Sequence, residues 1–335
     1  MITPAFGLTA TERVLPRLAL DFTTASLDPR VTFTRTTSAS NPATYIDSSG
    51  VITAATNNQP RFDYDPVTLV CKGLLIEESR TNSLLNSDTL STQIVTVTAA
   101  VRTLSFYGTG SVTLSGAHTA VVAGTGAYPT RTTYSFTPTA GALTLTVAGT
   151  VQYAQLEAGA FATSYIPTTS AALTRNADVA TMTGTNFSSW FNQTEGAITC
   201  QFNRTTAAPS SSFIRIWEMS DGTTSNRMRM MLGVTTTANY DCTSGGSAVG
   251  SMDVGAYTAN TNAKITGAYK TDSFAGSQNG ASPTTDTSGI ISWTMNQLVF
   301  GGNATGGGSY LNGYVQKFFY YPQRLINNEV RAFSK

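Results

Sequence analysis

The chain has 335 residues, enough for two domains with a core each. Only 12% of them are Asp, Glu, Lys or Arg, and the formal net charge is +1, where a soluble domain ordinarily carries about 25% charged residues. With no strong positive field and no run of five basic residues, neither nucleic acid nor an anionic membrane surface is an expected partner. No stretch approaches the ~20 apolar residues that span a bilayer.

Thr, Ser, Ala and Gly take the place of the missing charge. Thr is β-branched and favours a pleated, half-buried surface, so the composition predicts a strand protein with many turns. In chain order, residues 1–4 (MITP) lack the basic and apolar regions of a secretory leader. Residues 18–22 (LALDF) and 31–35 (VTFTR) alternate apolar and polar, as one-sided strands do. Residues 44–47 and 51–52 flank a Ser-Ser-Gly turn, and residues 73–77 (GLLIE) read as a more fully buried strand. From residue 94 to 147 the pattern is nearly continuous. Segments 94–98, 103–107, 111–115 and 142–147 all have period two and are separated by Gly-rich turns, which predicts a sandwich or jelly roll.

Residues 171–186 read as a connector, and residues 187–335 as a second sandwich. That sandwich opens on Trp190 and Phe191, with a first clear strand at 196–202 (GAITCQF). In residues 213–217 (FIRIW) strict alternation places Phe213, Arg215 and Trp217 on one face, and in 227–231 it points Met inward and Arg outward. Residues 264–269 and 311–322 are further strands. Asn279-Gly280 is a turn that tolerates positive φ, and residues 326–330 form a short helical tail. The expected fold class is therefore all-β, with two β-sandwich or jelly-roll domains. Residues 1–170 hold an N-terminal segment wrapping the first module, 171–186 the connector and 187–335 the second sandwich.

Catalytic chemistry is not legible. Glycoside hydrolysis needs two carboxylates across a cleft, and no run of alternating acids supplies them. Glu195, Glu218, Asp221 and Asp241 are the available candidates, and adjacent Glu77 and Glu78 point to opposite faces of a strand. His118, the sole histidine, has no nucleophile elbow beside it. Asp28, Asp63 and Asp65 are oxygen ligands of the kind calcium takes, but an Asp before Pro is equally a turn residue, so no metal or other cofactor is expected. The Gly-rich 301–308 loop lacks the Lys-Ser/Thr ending of a phosphate-binding loop. Cys71, Cys200 and Cys242 form no CxxC pair and read as three buried thiols of a protein assembled in a reducing compartment. For a sugar, the aromatic and amide candidates are Trp217, Asn239, Tyr240 and Tyr257.

The order of strands from residue 264 to 330 resembles the closing strands of concanavalin A-like, laminin-G-like and pentraxin-like sandwiches. An earlier set is more specific: LDF at 20–22, LDPRVTFTR at 27–35, YIDSSGV at 45–51, PRFDYDPVT at 60–68 and KGLLIEESRTN at 72–82. Together with QLEAG at 155–159 and SYIPT at 164–168, it resembles a module of tailed-bacteriophage structural proteins of the head-fibre, head-spike and tail-fibre type, with a carbohydrate-binding-like jelly roll. That resemblance implies a non-enzymatic virion protein on the particle exterior, assembled in the host cytoplasm. Its partners would be other capsid or tail proteins, copies of itself (a trimer, for an appendage on a symmetry axis) and a host cell-surface glycan. The alternative is a tailspike-like glycan depolymerase.

Overall fold

The computed structural model describes residues 15–35, 43–206, 213–233, 237–304 and 308–335. Residues 1–4, read above for a leader, and residues 305–307 of the Gly-rich loop lie outside them. The protein is all-β: among the described residues the only α-helices are Thr185–Ser188 and Asn327–Phe333. No helix among those residues is long and apolar enough to cross a membrane.

The larger sandwich faces an eight-stranded sheet against a seven-stranded one. The first runs Thr284–Asp286, Phe274–Gln278, Ala263–Lys270, Glu195–Arg204, Gly313–Tyr321, Cys71–Ile76, Phe62–Tyr64, with Leu18–Asp21 also paired to Gly313–Tyr321. The second runs Thr32–Thr34, Val179–Thr183, Gln297–Phe300, Ile214–Ser220, Arg227–Leu232, Thr237–Ser244, Ser247–Ala256. Alternation fills the space between them, since successive side chains of a strand point to opposite faces. Ile198, Cys200, Phe202 and Phe318 from one sheet meet Trp217, Met228, Met230 and Phe300 from the other in one buried cluster. Asn279 and Gly280, expected in a turn, have φ of 48° and 75°.

The smaller sandwich is a jelly roll of two short sheets. One orders Ala120–Ala123, Ser111–Gly116, Gly141–Ala148, Gln93–Val97, and the other Gly126–Phe136, Arg102–Gly108, Gln152–Ala158. Leu104, Phe106, Val112, Leu114, Leu143, Leu145 and Leu156 close its own core. Gly108 has a φ of 131°, and a Cβ there would lie 2.0 Å from the carbonyl oxygen of Thr150, so only glycine fits.

The segment before residue 80 divides between the two sandwiches instead of simply wrapping the first. Its hairpin, Ala43–Ile46 with Ile52–Ala55, touches the jelly roll, where the Thr44 hydroxyl donates to the Tyr165 carbonyl oxygen at 2.5 Å and Tyr128 donates to Gly50 O. Its other strands pair into the large sandwich: Leu18 lies opposite Tyr320, Phe33 opposite Ala180 and Leu74 opposite Val315. Residues 171–186, read as a connector, also form strands. Leu173–Arg175 pairs with Arg80–Asn82, and Val179–Thr183 lies between Thr32–Thr34 and Gln297–Phe300. Both strands satisfy backbone groups that a bare connector would leave to water.

Candidate functional site

Where the two sandwiches meet, five charged side chains are buried together. Arg35, Arg61, Arg175 and Asp178 are at most 1% exposed and Glu77 is 6% exposed. Asp178 bridges Arg35 (Nη1–Oδ1 3.0 Å) and Arg61, and accepts the Glu77 backbone N–H at 2.9 Å. Glu77 bridges Arg61 at 2.8 Å and Arg175 at 2.5 Å, and accepts both the N–H (2.8 Å) and the hydroxyl (2.7 Å) of Ser164. Burial alone would raise the Glu77 carboxyl, but the two guanidinium groups and Ser164 outweigh it and hold the pKa at about 2. Arg35, Arg61 and Glu77 come from the ordered motif set, Arg175 from the strand Leu173–Arg175 and Asp178 from the link to the next strand. Three residues of the motif set, dispersed in sequence, thus close in space into one buried clamp.

Glu77 and Ser164 also line a cleft of about 190 Å³ between the sandwiches. The hairpin contributes Tyr45 and Ile52, the large sheet Asp63, Lys72 and Tyr314, and the jelly roll Tyr107, Arg131 and Tyr165. Asp63 is held in place by the Ile46 N–H (2.6 Å), the Tyr314 hydroxyl (2.7 Å) and Lys72 Nζ (2.9 Å). Lys72 lies over the Tyr314 ring at 5.0 Å, and the Arg131 guanidinium lies 5.9 Å from the Tyr107 ring. Arg131 is itself fixed by donating to the Thr163 carbonyl and the Ser105 hydroxyl.

Burial pushes the Tyr107 hydroxyl above its ordinary value, and burial followed by Asp63 pushes Tyr314 well above. Both rings are neutral donors near neutral pH. The Tyr45 and Tyr107 hydroxyls have no hydrogen-bond partner among the described residues, and Lys72 keeps two protons that Asp63 does not take. The site thus combines aromatic walls, unused donors and an ion pair. Such a lining fits a hydroxyl-rich ligand better than an apolar one.

The residues expected to touch a sugar lie elsewhere, and three of them are corrected. Trp217 and Tyr240 are wholly buried, with ring centroids 6.3 Å apart in the large core, and Tyr240 donates to Met228 Sδ at 2.7 Å. Tyr257 is 4% exposed, stacks on Phe202 and donates to the Arg204 carbonyl. Rings with no free face cannot stack on a sugar. The cause at Trp217 is a bulge. Arg215 pairs with Met231 but Trp217 pairs with Met230, so the extra residue turns Trp217 inward while Arg215 stays outward. Asn239 is half-buried, opposite Met231 and Asp253, away from the cleft.

The carboxylate candidates are each engaged. Glu218 and Asp241 share one row of the seven-stranded sheet with Arg229 between them. Two strand spacings separate their backbones by about 10 Å. Glu218 meets Arg215 at 3.1 Å and Asp241 meets Arg229 at 2.5 Å. Glu195 lies 3.5 Å from Lys270, and Asp221 caps its own loop through Thr223 and Asn226. Glu78 pairs with Arg80, and His118 stacks on Phe136 at 4.5 Å with Nε2 3.1 Å from the Tyr134 hydroxyl. Asp28 chelates Arg30, Asp65 caps the 65–68 turn and Asp63 faces the cleft, so the three do not converge. No cluster of three or more His, Cys, Asp or Glu side chains able to hold a metal occurs among the described residues. The cleft residues Tyr107 and Tyr314 were missed because nothing local in the sequence marks them, while Tyr45 falls inside the YIDSSGV segment of the motif set without any sign of a binding role.

No family model matches the chain, and no curated protein does. Solved structures that resemble it include the CBM40 module of the Ruminococcus gnavus IT-sialidase bound to alpha2,3 sialyllactose. It is 15% identical, the match covers 43% of this chain and 83% of that one, and the TM-score is 0.36. A mutant of NanB sialidase from Streptococcus pneumoniae is 11% identical over 45% of this chain and 26% of its own, with a TM-score of 0.36. A heptameric SAP-like pentraxin from Limulus polyphemus is 14% identical over 42% and 70%, with a TM-score of 0.30.

Proposed function

We propose that the chain is a non-enzymatic structural protein of a tailed-bacteriophage virion, a head-fibre, capsid-decoration or tail-fibre component. In this reading it sits on the particle exterior as a closed oligomer and holds a host-surface glycan in the cleft between its two sandwiches. The observation that carries the binding role is that cleft: tyrosine walls, hydroxyl donors without partners, and a floor fixed by the buried Glu77 clamp. A rigid floor lowers the entropy lost when a ligand is ordered. The virion assignment is supported by the resemblance of the motif set, three of whose residues (Arg35, Arg61 and Glu77) close with Arg175 and Asp178 into a single clamp.

The test is titration of host capsule or lipopolysaccharide fragments against the protein and its Tyr107→Phe and Lys72→Met variants. Removing one donor is expected to weaken binding roughly five- to tenfold, about 1 to 1.5 kcal/mol, with no change in melting temperature for Tyr107→Phe. Unchanged affinity in both variants rejects the cleft. Absence of the protein from purified virions rejects the virion assignment. The same incubation reads the alternative, a depolymerase: released fragments that disappear in Glu218→Gln would establish it, because Glu218 and Asp241 are the acids that share a sheet row.

A further inference from the structure

The outer face of the eight-stranded sheet carries a second groove, of about 300 Å³, that shares no residue with the cleft. Strand register lays out its floor. Residues directly opposite in neighbouring antiparallel strands point to the same side, and Ile198, Cys200 and Phe202 point into the core. The alternate positions Ala197, Thr199 and Gln201 therefore face out. Across the sheet Lys264 lies opposite Gln201, Gln201 opposite Lys317 and Lys317 opposite Asp21. The next row is Thr266, Thr199, Phe319. The row beyond, Ala268, Ala197 and Tyr321, lies under the C-terminal helix, where Phe333 stacks on Tyr321 at 5.0 Å and forms the wall.

The helix thus covers the small residues and stops at Phe319. Beyond it lie one aromatic ring, one amide and two ammonium groups, all four side chains half-buried. Lys317 is paired with Asp21 at 2.9 Å, whereas Lys264 has no side-chain partner among the described residues. The charged groups facing the groove are thus two cations and one anion. The backbones of Lys264 and Lys317 are two strand spacings, about 10 Å, apart, with the Gln201 amide between them. We propose that this groove binds a carboxylated sugar: the carboxylate lies between Lys264 and Lys317, Gln201 takes the ring hydroxyls, and the apolar face of the ring rests on Phe319. A neutral sugar would leave the excess cation unmatched, and a bare anion would leave Phe319 unused.

The experiment is calorimetric titration with methyl glucuronide and methyl glucoside, which differ only in the carboxylate. The glucuronide is expected to bind about tenfold more tightly, the worth of one charge-assisted hydrogen bond. Lys264→Met should abolish that preference, and Lys317→Met should reduce it. Tyr107→Phe, which alters only the cleft, should leave it intact, so failure of the cleft reading and failure of this one are distinguishable. Both lysines are partly exposed, and melting temperatures close to the parent's would confirm that the variants fold. Equal affinity for the two sugars, no binding of the glucuronide, undiminished preference in Lys264→Met, or displacement by inorganic phosphate as effective as by the sugar would each overturn the assignment.

Discussion

Replacing Glu77 by Gln keeps the shape of the side chain and removes the charge that Arg61 and Arg175 share. The Glu77 carboxyl is held at about 2 against an ordinary 4.5. At ~1.4 kcal/mol per pH unit that displacement contributes about 3 kcal/mol to folding at neutral pH. The figure agrees with the ~3–5 kcal/mol lost when one partner of a buried ion pair is removed. The sign sets the pH window. A depressed carboxyl contributes fully above its unfolded value and loses that contribution as pH falls toward the folded one. Urea unfolding at pH 7 should therefore show Glu77→Gln less stable by about 3 kcal/mol, and the deficit should shrink to roughly half by pH 3. A cost within about 0.5 kcal/mol, the usual range for a surface change, would refute the argument. So would a deficit that stays constant between pH 7 and pH 3.

Asn82 is wholly buried and makes four hydrogen bonds, to the carbonyls of Ala154 and Ile166 and the N–H groups of Leu84 and Leu156. Asn82→Ala should cost at least about 3 kcal/mol in chemical denaturation, since each orphaned buried group costs ~1–3 kcal/mol, and a loss under 1 kcal/mol would contradict the geometry. Burial pushes the Cys200 and Cys242 thiols far up and raises half-buried Cys71 less. A thiol reagent at pH 8 should modify Cys71 slowly and the other two only after unfolding; mass spectrometry of the labelled native protein reads the outcome.

The strand content was legible because burial on one face writes period two into the sequence. Ser111–Gly116 alternates buried Val112 and Leu114 with exposed or half-exposed neighbours, as the pattern at 111–115 predicts. Trp217 was misplaced because a bulge shifts the period by one residue, and nothing in FIRIW announces it. Pairing partners were illegible for a different reason. Leu18–Asp21 has the same pattern whether it lies on the jelly roll or beside Gly313–Tyr321, and only the three-dimensional edge decides. The cleft was hidden likewise: Lys72, Tyr107 and Tyr314 are far apart in sequence, and each is ordinary in its own strand. Asp63 and Lys72 do fall inside the motif set, which was the one available pointer.

The pairing of Leu18 with Tyr320 has a consequence for biosynthesis. It joins positions separated by roughly 300 residues, and closing such distant contacts is slow. The jelly roll, whose strands lie between residues 93 and 158, has all its partners within reach while the ribosome is still at work. It should fold first, whereas Leu18–Asp21 and one edge of Cys71–Ile76 must wait unpaired until Gly313–Tyr321 emerges. A chain stalled before that strand would present those waiting edges to its neighbours, the situation in which nascent β proteins aggregate or call on a chaperone.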